Sequence, residues 1–424
     1  MKEKFLQTLL VVLSISMGLV CCNAPGDKSQ DKFVVKAYEI LDGQSVVNLS
    51  EIASSISYIP LETTDSSMVS NISSIHYQSG KIYVRDNTDK IFVFSDKGKF
   101  INVINRKGRG PEEYSEIRSF APSAAGELYI LSGQGDFLKY DQSGKFISRK
   151  KIVTDEERVT FDKFEFVGNN IMVTAYSMLL RGSEPTVKNL YFFCDDTLGV
   201  IMSDVREQHN AMKITHSGGQ VSAISIRWDP FYINRFGDYA RLYYPGRDTV
   251  FNVSKDGGFE QFFAIDYGNY GIKEGSDPFA PRHEQDHISL ATPFFETNNH
   301  LLLNFMAGKY APEKVEQPAT MINGMEYKSV DANILAIAEK GTGKLKALAR
   351  PAEGENGFKE DLEGGPVFWP SYTGAGGEFI SYKNAYQILD AAGKAGEASR
   401  SLQSLASLLK EEDNPVVIIV KPKR

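Results

Sequence analysis

GKIYVRDNTDKIFVFSDKGKFI, from Gly80 to Ile101, and GELYILSGQGDFLKYDQSGKFI, from Gly126 to Ile147, align from end to end. Each reads as strand, turn, strand, turn, strand. The first turn carries Asp86, Asn87 and Asp89 in one copy and Gly133, Gln134 and Gly135 in the other. The second is an Asp followed by Gly98 or Gly144, with glycine at the hairpin position that needs φ > 0. Weaker copies follow: NLYFFCDDTLGVI ends at Ile201, DTVFNVSKDGGFEQFFAI at Ile265 and ANILAIAEKGTGKLKAL at Leu348. The turn glycines Gly98, Gly144, Gly199, Gly257 and Gly343 lie 46, 55, 58 and 86 residues apart. That is the period of propeller blades, stretched at the end by an insertion near residues 307 to 327.

Runs such as Ile91 to Phe94 and Tyr191 to Phe193 are apolar at every position, so both faces of these strands need cover. A sandwich would leave one face polar, whereas blades stacked around an axis bury both. GGEFISYKNAYQIL supplies a sixth strand group. Ala398 to Lys410 then carries Leu402, Leu405, Ala406 and Leu409 at helical spacing. Asp413, Asn414 and Pro415 end that helix, and Val416 to Val420 form a last strand. Units counted from Gly80, Gly126, Val167, Phe236, Thr297 and Gly376 predict an all-β, six-bladed β-propeller with a short C-terminal helix before the closing strand. The segment from Phe33 to Tyr77 is expected to supply a strand that closes the ring against the last blade, which removes exposed edges.

The N-terminus sets the compartment. Lys2 and Lys4 precede an apolar run of 12 residues, Leu9 to Val20, too short to span a bilayer and of secretory length. Leu19, Val20, Cys21 and Cys22 resemble the lipobox of bacterial lipoproteins. Cys22 as the lipidated residue places the small Cys21 at the cleavage point, where Cys21 as acceptor would place the branched Val20. The expected organisation is a signal peptide over residues 1–21, a flexible tether over 22–32 and the propeller over 33–424. The 424-residue chain has 54 acidic and 47 basic side chains, a net charge of −7; without residues 1–21 the counts are 53 and 45 and the charge −8. With no positive excess to neutralise phosphates, nucleic acid is set aside as a partner. Cys194 is then the only cysteine inside the folded part and is expected to pack as a small hydrophobe.

Four separated stretches carry a wider resemblance: YIPLET at Tyr58 to Thr63, GKFINVINRKGRGPEEY at Gly98 to Tyr114, DLEGGPVFWP at Asp361 to Pro370, and the ending EEDNPVVIIVKPK. Together they resemble the six-bladed β-propeller lipoproteins of Bacteroidetes, a family of unassigned activity, and the blades look like NHL repeats. The resemblance implies a fold and an envelope location, and transfers no catalytic residues.

Several constellations could bind. Arg106, Lys107, Gly108, Arg109, Gly110 and Pro111 form a basic, Gly-rich loop able to hold an anion; the simpler reading is a turn between blades, with Tyr114 in the core and Glu112 or Glu113 pairing the arginines. His283, Glu284 and His287 spell H-E-x-x-H, the zinc signature of a buried helix, but Pro278, Pro281 and a polar flank argue for a solvated loop. Glu296 and His300 stand downstream as further ligand types. Trp228, Tyr232 and their aromatic neighbours, beside Asp229, Arg235, Asp238 and Arg241, and a second group with Trp369 and Tyr372, could stack on a sugar or peptide. Core packing would account for most of these rings. Asp361 and Glu363 could hold calcium or act as an acid and base pair in the central channel; no cofactor is required by the rest of the sequence.

These features favour a lipid-anchored envelope protein that binds a ligand or partner, a glycan, a peptide or an outer-membrane protein, in nutrient handling or sensing. The competing readings are a metal-dependent lactonase-like or hydrolase-like enzyme with its site at the central channel, and a structural docking subunit of an outer-membrane complex. Fold analogy does not choose among them.

Overall fold

A computed structural model describes residues 32–423, apart from residues 182–183, 209–210, 218–219, 228, 245–246, 321–325 and 394–398. Six blades stand around an axis, with inner strands Ile72–Gln78, Ser119–Pro122, Val159–Val167, Tyr232–Phe236, Ser289–Glu296 and Tyr372–Thr373, numbered here as blades 1 to 6. Each blade runs outward through antiparallel neighbours. The turn that follows each inner strand, the first turn of its blade, falls at Gly80, Gly126, Gly168, Gly237, Thr297 to His300 and Gly377, which matches the starts of the six units read from the sequence.

The strands that are apolar at every position divide their side chains between two interfaces. In blade 1, Phe92 and Phe94 pack towards blade 6 while Ile91 and Val93 pack towards blade 2. In blade 3, Phe192 faces blade 2 while Tyr191 and Phe193 face blade 4. In blade 6, Val417 and Ile419 face blade 1 while Ile418 and Val420 face blade 5. The core is therefore a ring of inter-blade layers, and burying each of these side chains contributes about 1.5–3 kcal/mol. Cys194 is buried in the layer between blades 2 and 3, where desolvation pushes its thiol up to about 12.

Closure is by the N-terminal strand Ala53–Pro60, which pairs antiparallel with Val416–Pro422 and forms the outer edge of blade 6. The same segment does more than the sequence predicts. Phe33–Lys36 adds a parallel fifth strand to blade 4, and Gln44–Ser45 adds one to blade 5. The chain thus laces three consecutive blades before it enters blade 1, and every described strand of the ring lies from Phe33 to Pro422.

Two local expectations are corrected. Leu198, with φ 65, takes the left-handed position in blade 3, one residue before Gly199. There the Asp195 carboxylate accepts the Thr197 and Gly199 N–H groups at 2.8 Å each, an Asx turn that tolerates a branched residue. The stretch read as a sixth strand group is strand only over Phe379–Lys383; helix α1, Ala385–Gly393, follows, and the backbone N–H of Asn384 donates to the Gln387 side chain at 2.9 Å. The expected helix is α2, Arg400–Ala406, capped by the Ser399 hydroxyl and anchored by Leu402 against Ile388 and Val416.

Candidate functional site

The six inner strands leave a channel of about 980 Å³, and the sequence candidates Tyr232 and Tyr372 both line it. Every blade contributes polar lining, and blade 3 supplies three charged side chains, Asp162, Lys163 and Glu165. In the strand Val159–Val167, Phe161 pairs with Ala175 and Lys163 with Thr174, so Asp162 is the additional residue of a bulge. A bulge bends the strand and re-aims side chains there. Burial lifts the Asp162 carboxyl above its ordinary range, against the pull of Arg118 and Lys163. Lys163 donates to the Ile233 carbonyl at 2.7 Å, lies 3.0 Å from Glu165 and sits 5.1 Å over the Tyr232 ring. Burial, and then Glu165 and Glu296, push the Tyr232 phenol well up, so it remains a hydroxyl donor. Tyr372 donates to the Ser73 carbonyl at 3.3 Å across the blade 6 to blade 1 seam.

His76 reaches the channel from blade 1 and packs edge-on against Phe120, with ring centroids 4.6 Å apart. Desolvation and the Lys163 charge lower its pKa from 6.5 to about 4, so it is neutral at pH 7. The unfolded chain then binds one more proton than the folded one between these two values. The contribution of His76 to stability is complete above about pH 6.5 and falls as the pH drops towards 4. Between pH 7.5 and 5 the wild type is expected to lose about 2 kcal/mol more than H76Q, measured by urea unfolding. An equal loss in both proteins would remove His76 as the cause.

A second cavity of about 1710 Å³ lies beside α1 and takes in Trp369, Asp361 and Glu363. The two carboxylates therefore do not line the central channel, where the sequence reading put them. Asp361 accepts the Ser50 N–H at 2.9 Å and its hydroxyl at 2.6 Å, while Glu363 accepts the hydroxyls of Ser399 and Ser401. Both tie the loop after blade 5 to neighbouring segments. Glu360, which sequence reasoning missed, is 4% exposed and gathers the N–H groups of Leu362, Glu363 and Gly365 together with the Tyr58 hydroxyl. Trp369 stacks on Phe358 at 5.4 Å.

The basic loop joins blade 1 to blade 2. Tyr114 is buried and donates to the Asp89 carbonyl at 2.8 Å, and Glu113 accepts the Gly110 N–H at 2.8 Å. Arg106 and Arg109 are exposed. Lys107 reaches Asp89 at 2.7 Å, and Asp89 also holds Arg85, which lines the channel. His283 sits on the single 3-10 turn Arg282–Glu284 with His287 beyond it, so the two do not share a helix face. Among the described residues no three His, Cys, Asp or Glu side chains stand together as metal ligands. Trp228 and Cys22 lie outside the described residues. The channel residues His76, Asp162, Lys163 and Glu165 were not selected from sequence, although FDKFEFV carries three charges in a strand that is otherwise apolar.

A family model described as a domain of unknown function (DUF4934) matches residues 32–421. A Bacteroides fragilis protein described as exported is similar in structure, with a TM-score of 0.60 and 17% identity over 93% of this chain and 100% of that one. A Bacteroides vulgatus member of the DUF4221 family gives a TM-score of 0.40 at 10% identity, over 72% and 86% of the two chains. An oligogalacturonate lyase solved with manganese gives 0.39 at 8% identity, over 90% and 99%. At 17% identity the likeness to the exported protein is one of fold. No curated protein matches the sequence.

Proposed function

The chain belongs to the DUF4934 family, and on that premise we propose that it is a lipid-anchored envelope protein whose propeller is a binding module, holding its ligand in the central channel. The observation that carries this reading is the channel itself, where His76, Asp162, Lys163, Tyr232 and Tyr372 converge from four blades on one open space of about 980 Å³. A cavity of this size with a few convergent polar groups and shifted ionisable side chains is what small-molecule sites are built from. The charged and apolar N-terminal run ending at Cys22 supports the anchor, and the exported Bacteroides fragilis neighbour agrees with an envelope location.

The test is thermal unfolding of residues 23–424, which contain every described strand of the ring, against oligosaccharides, peptides and organic acids. A true ligand at a hundredfold excess over its Kd stabilises the native state by about 2.7 kcal/mol, and Tyr232→Ala is expected to abolish that gain. A gain unchanged in Tyr232→Ala would move the site out of the channel. In cells, Cys22→Ser is expected to shift the protein from the membrane to the soluble fraction; retention in the membrane would refute the anchor.

A further inference from the structure

We propose that the ligand taken by the channel is a small organic acid, recognised through its carboxylate; this rests on the channel-binding reading above. The chain is acidic overall, at −7, but the channel wall reverses that sign. Six cationic side chains line it, Arg85, Arg118, Lys163, Arg235, Lys421 and Lys423, against the three carboxylates Asp162, Glu165 and Glu378. A concave wall with an excess of one sign focuses the field into the space it encloses and concentrates ligands of the opposite sign.

Two of these cations are held internally, Lys163 by Glu165 at 3.0 Å and Arg85 by Asp89 at 2.7 Å. The others keep capacity. Arg118 meets Glu116 at 3.4 Å with side chains 39% and 44% exposed, an arrangement that contributes little. Arg235 uses Nε on the Gly237 carbonyl at 2.9 Å, which leaves its terminal nitrogens for another acceptor. Lys421 and Lys423 flank Pro422 at the end of the strand Val416–Pro422, near the first turn of blade 6. Guanidinium groups fit carboxylates in a bidentate manner, and the rings and hydroxyls of Tyr232 and Tyr372 can meet a carbon skeleton and its polar substituents.

Asp162 opposes such a ligand. Its carboxyl faces the same space within electrostatic reach of Arg118 and Lys163, and its negative charge repels an incoming anion. Neutralising Asp162 therefore separates an anion site from a cation site, which would lose affinity by the same change.

The experiment is calorimetric titration of the mature protein with glucuronate, glucose, glucosamine and inorganic phosphate at low and high salt. Glucuronate is expected to bind at least about tenfold more tightly than the other three, and less tightly in high salt. Arg118→Gln should weaken it about tenfold and Asp162→Asn should tighten it about tenfold. Equal or tighter binding of glucose, glucosamine or phosphate, or weaker binding to D162N, would overturn the organic acid while leaving a channel that binds. If none of the four binds, a stabilising organic acid from the wider panel upholds the charge assignment, a stabilising neutral oligosaccharide or peptide overturns it alone, and the absence of any ligand in either set takes the channel reading with it.

Discussion

Glu296→Gln is expected to destabilise the propeller by about 3–5 kcal/mol, because it takes the only carboxylate out of a buried group of two cations. Glu296, on the inner strand of blade 5, is 2% exposed. It accepts Nε and Nη2 of Arg241 at 2.8 and 3.1 Å and Nζ of Lys340 at 2.6 Å. Arg241 comes from blade 4, donates Nη1 to Asn252 and lies 3.7 Å over the Phe262 ring; Lys340 lies 4.2 Å over Phe236. Without the carboxylate, both cations face aromatic rings in a dry seam. Desolvation already lowers the Lys340 pKa, with Glu296 holding it up, so in E296Q the ammonium sheds its proton more readily and the guanidinium cannot. Urea unfolding at neutral pH measures the loss. Lys340→Met, which keeps the bidentate Arg241 to Glu296 pair and replaces the ammonium with an apolar end, should cost less than half as much. A loss in E296Q below about 1 kcal/mol would mean that water reaches the seam.

That seam also shows where sequence reading stops. Blade number, first turns, ring closure and inter-blade burial were legible because each is a local pattern repeated: a glycine at a hairpin, or an apolar run with no polar alternation. Glu296 and Arg241 were visible too, but as a metal ligand type and as a partner for a sugar. Their real relation joins residues 55 apart on different blades, and no local periodicity encodes it. The channel was half legible for the same reason. Tyr232 and Tyr372 stood out as aromatic clusters, whereas Asp162 reaches the axis through a bulge whose existence depends on the register of the partner strand. Asp361 and Glu363, adjacent to a Gly pair, looked like ligand carboxylates; what binds them is Ser50, Ser399 and Ser401 from distant segments. A carboxylate that ties loops together and one that awaits a ligand have the same sequence, and only the position of the donors distinguishes them.

Two of the turn glycines that revealed the repeat, Gly98 and Gly343, carry a larger load than hairpin geometry alone, and Gly98→Ala is expected to cost about 3 kcal/mol or more, well beyond a left-handed alanine. At Gly98 φ is 76°, and a Cβ would lie 2.0 Å from the Pro60 carbonyl oxygen and 3.2 Å from an Ile59 methyl. Pro60 ends the strand that closes the ring. The same relation recurs at Gly343, whose Cβ would lie 1.9 Å from the Val34 carbonyl in the added strand of blade 4. These two turns thus seat against the outermost strand of the preceding blade, and backbone there cannot yield without lifting that strand. Gly341 supplies the control: its φ is 86° but nothing stands within 4 Å of its Cβ, so Gly341→Ala should cost only about 1 kcal/mol for the left-handed conformation. Chemical denaturation of the two variants separates steric approach from backbone strain. Equal losses would mean that the closing strand can retreat freely. A loss confined to G98A, with faster proteolysis between Ala53 and Pro60, would locate the weakness at the one blade whose strands come from both ends of the chain.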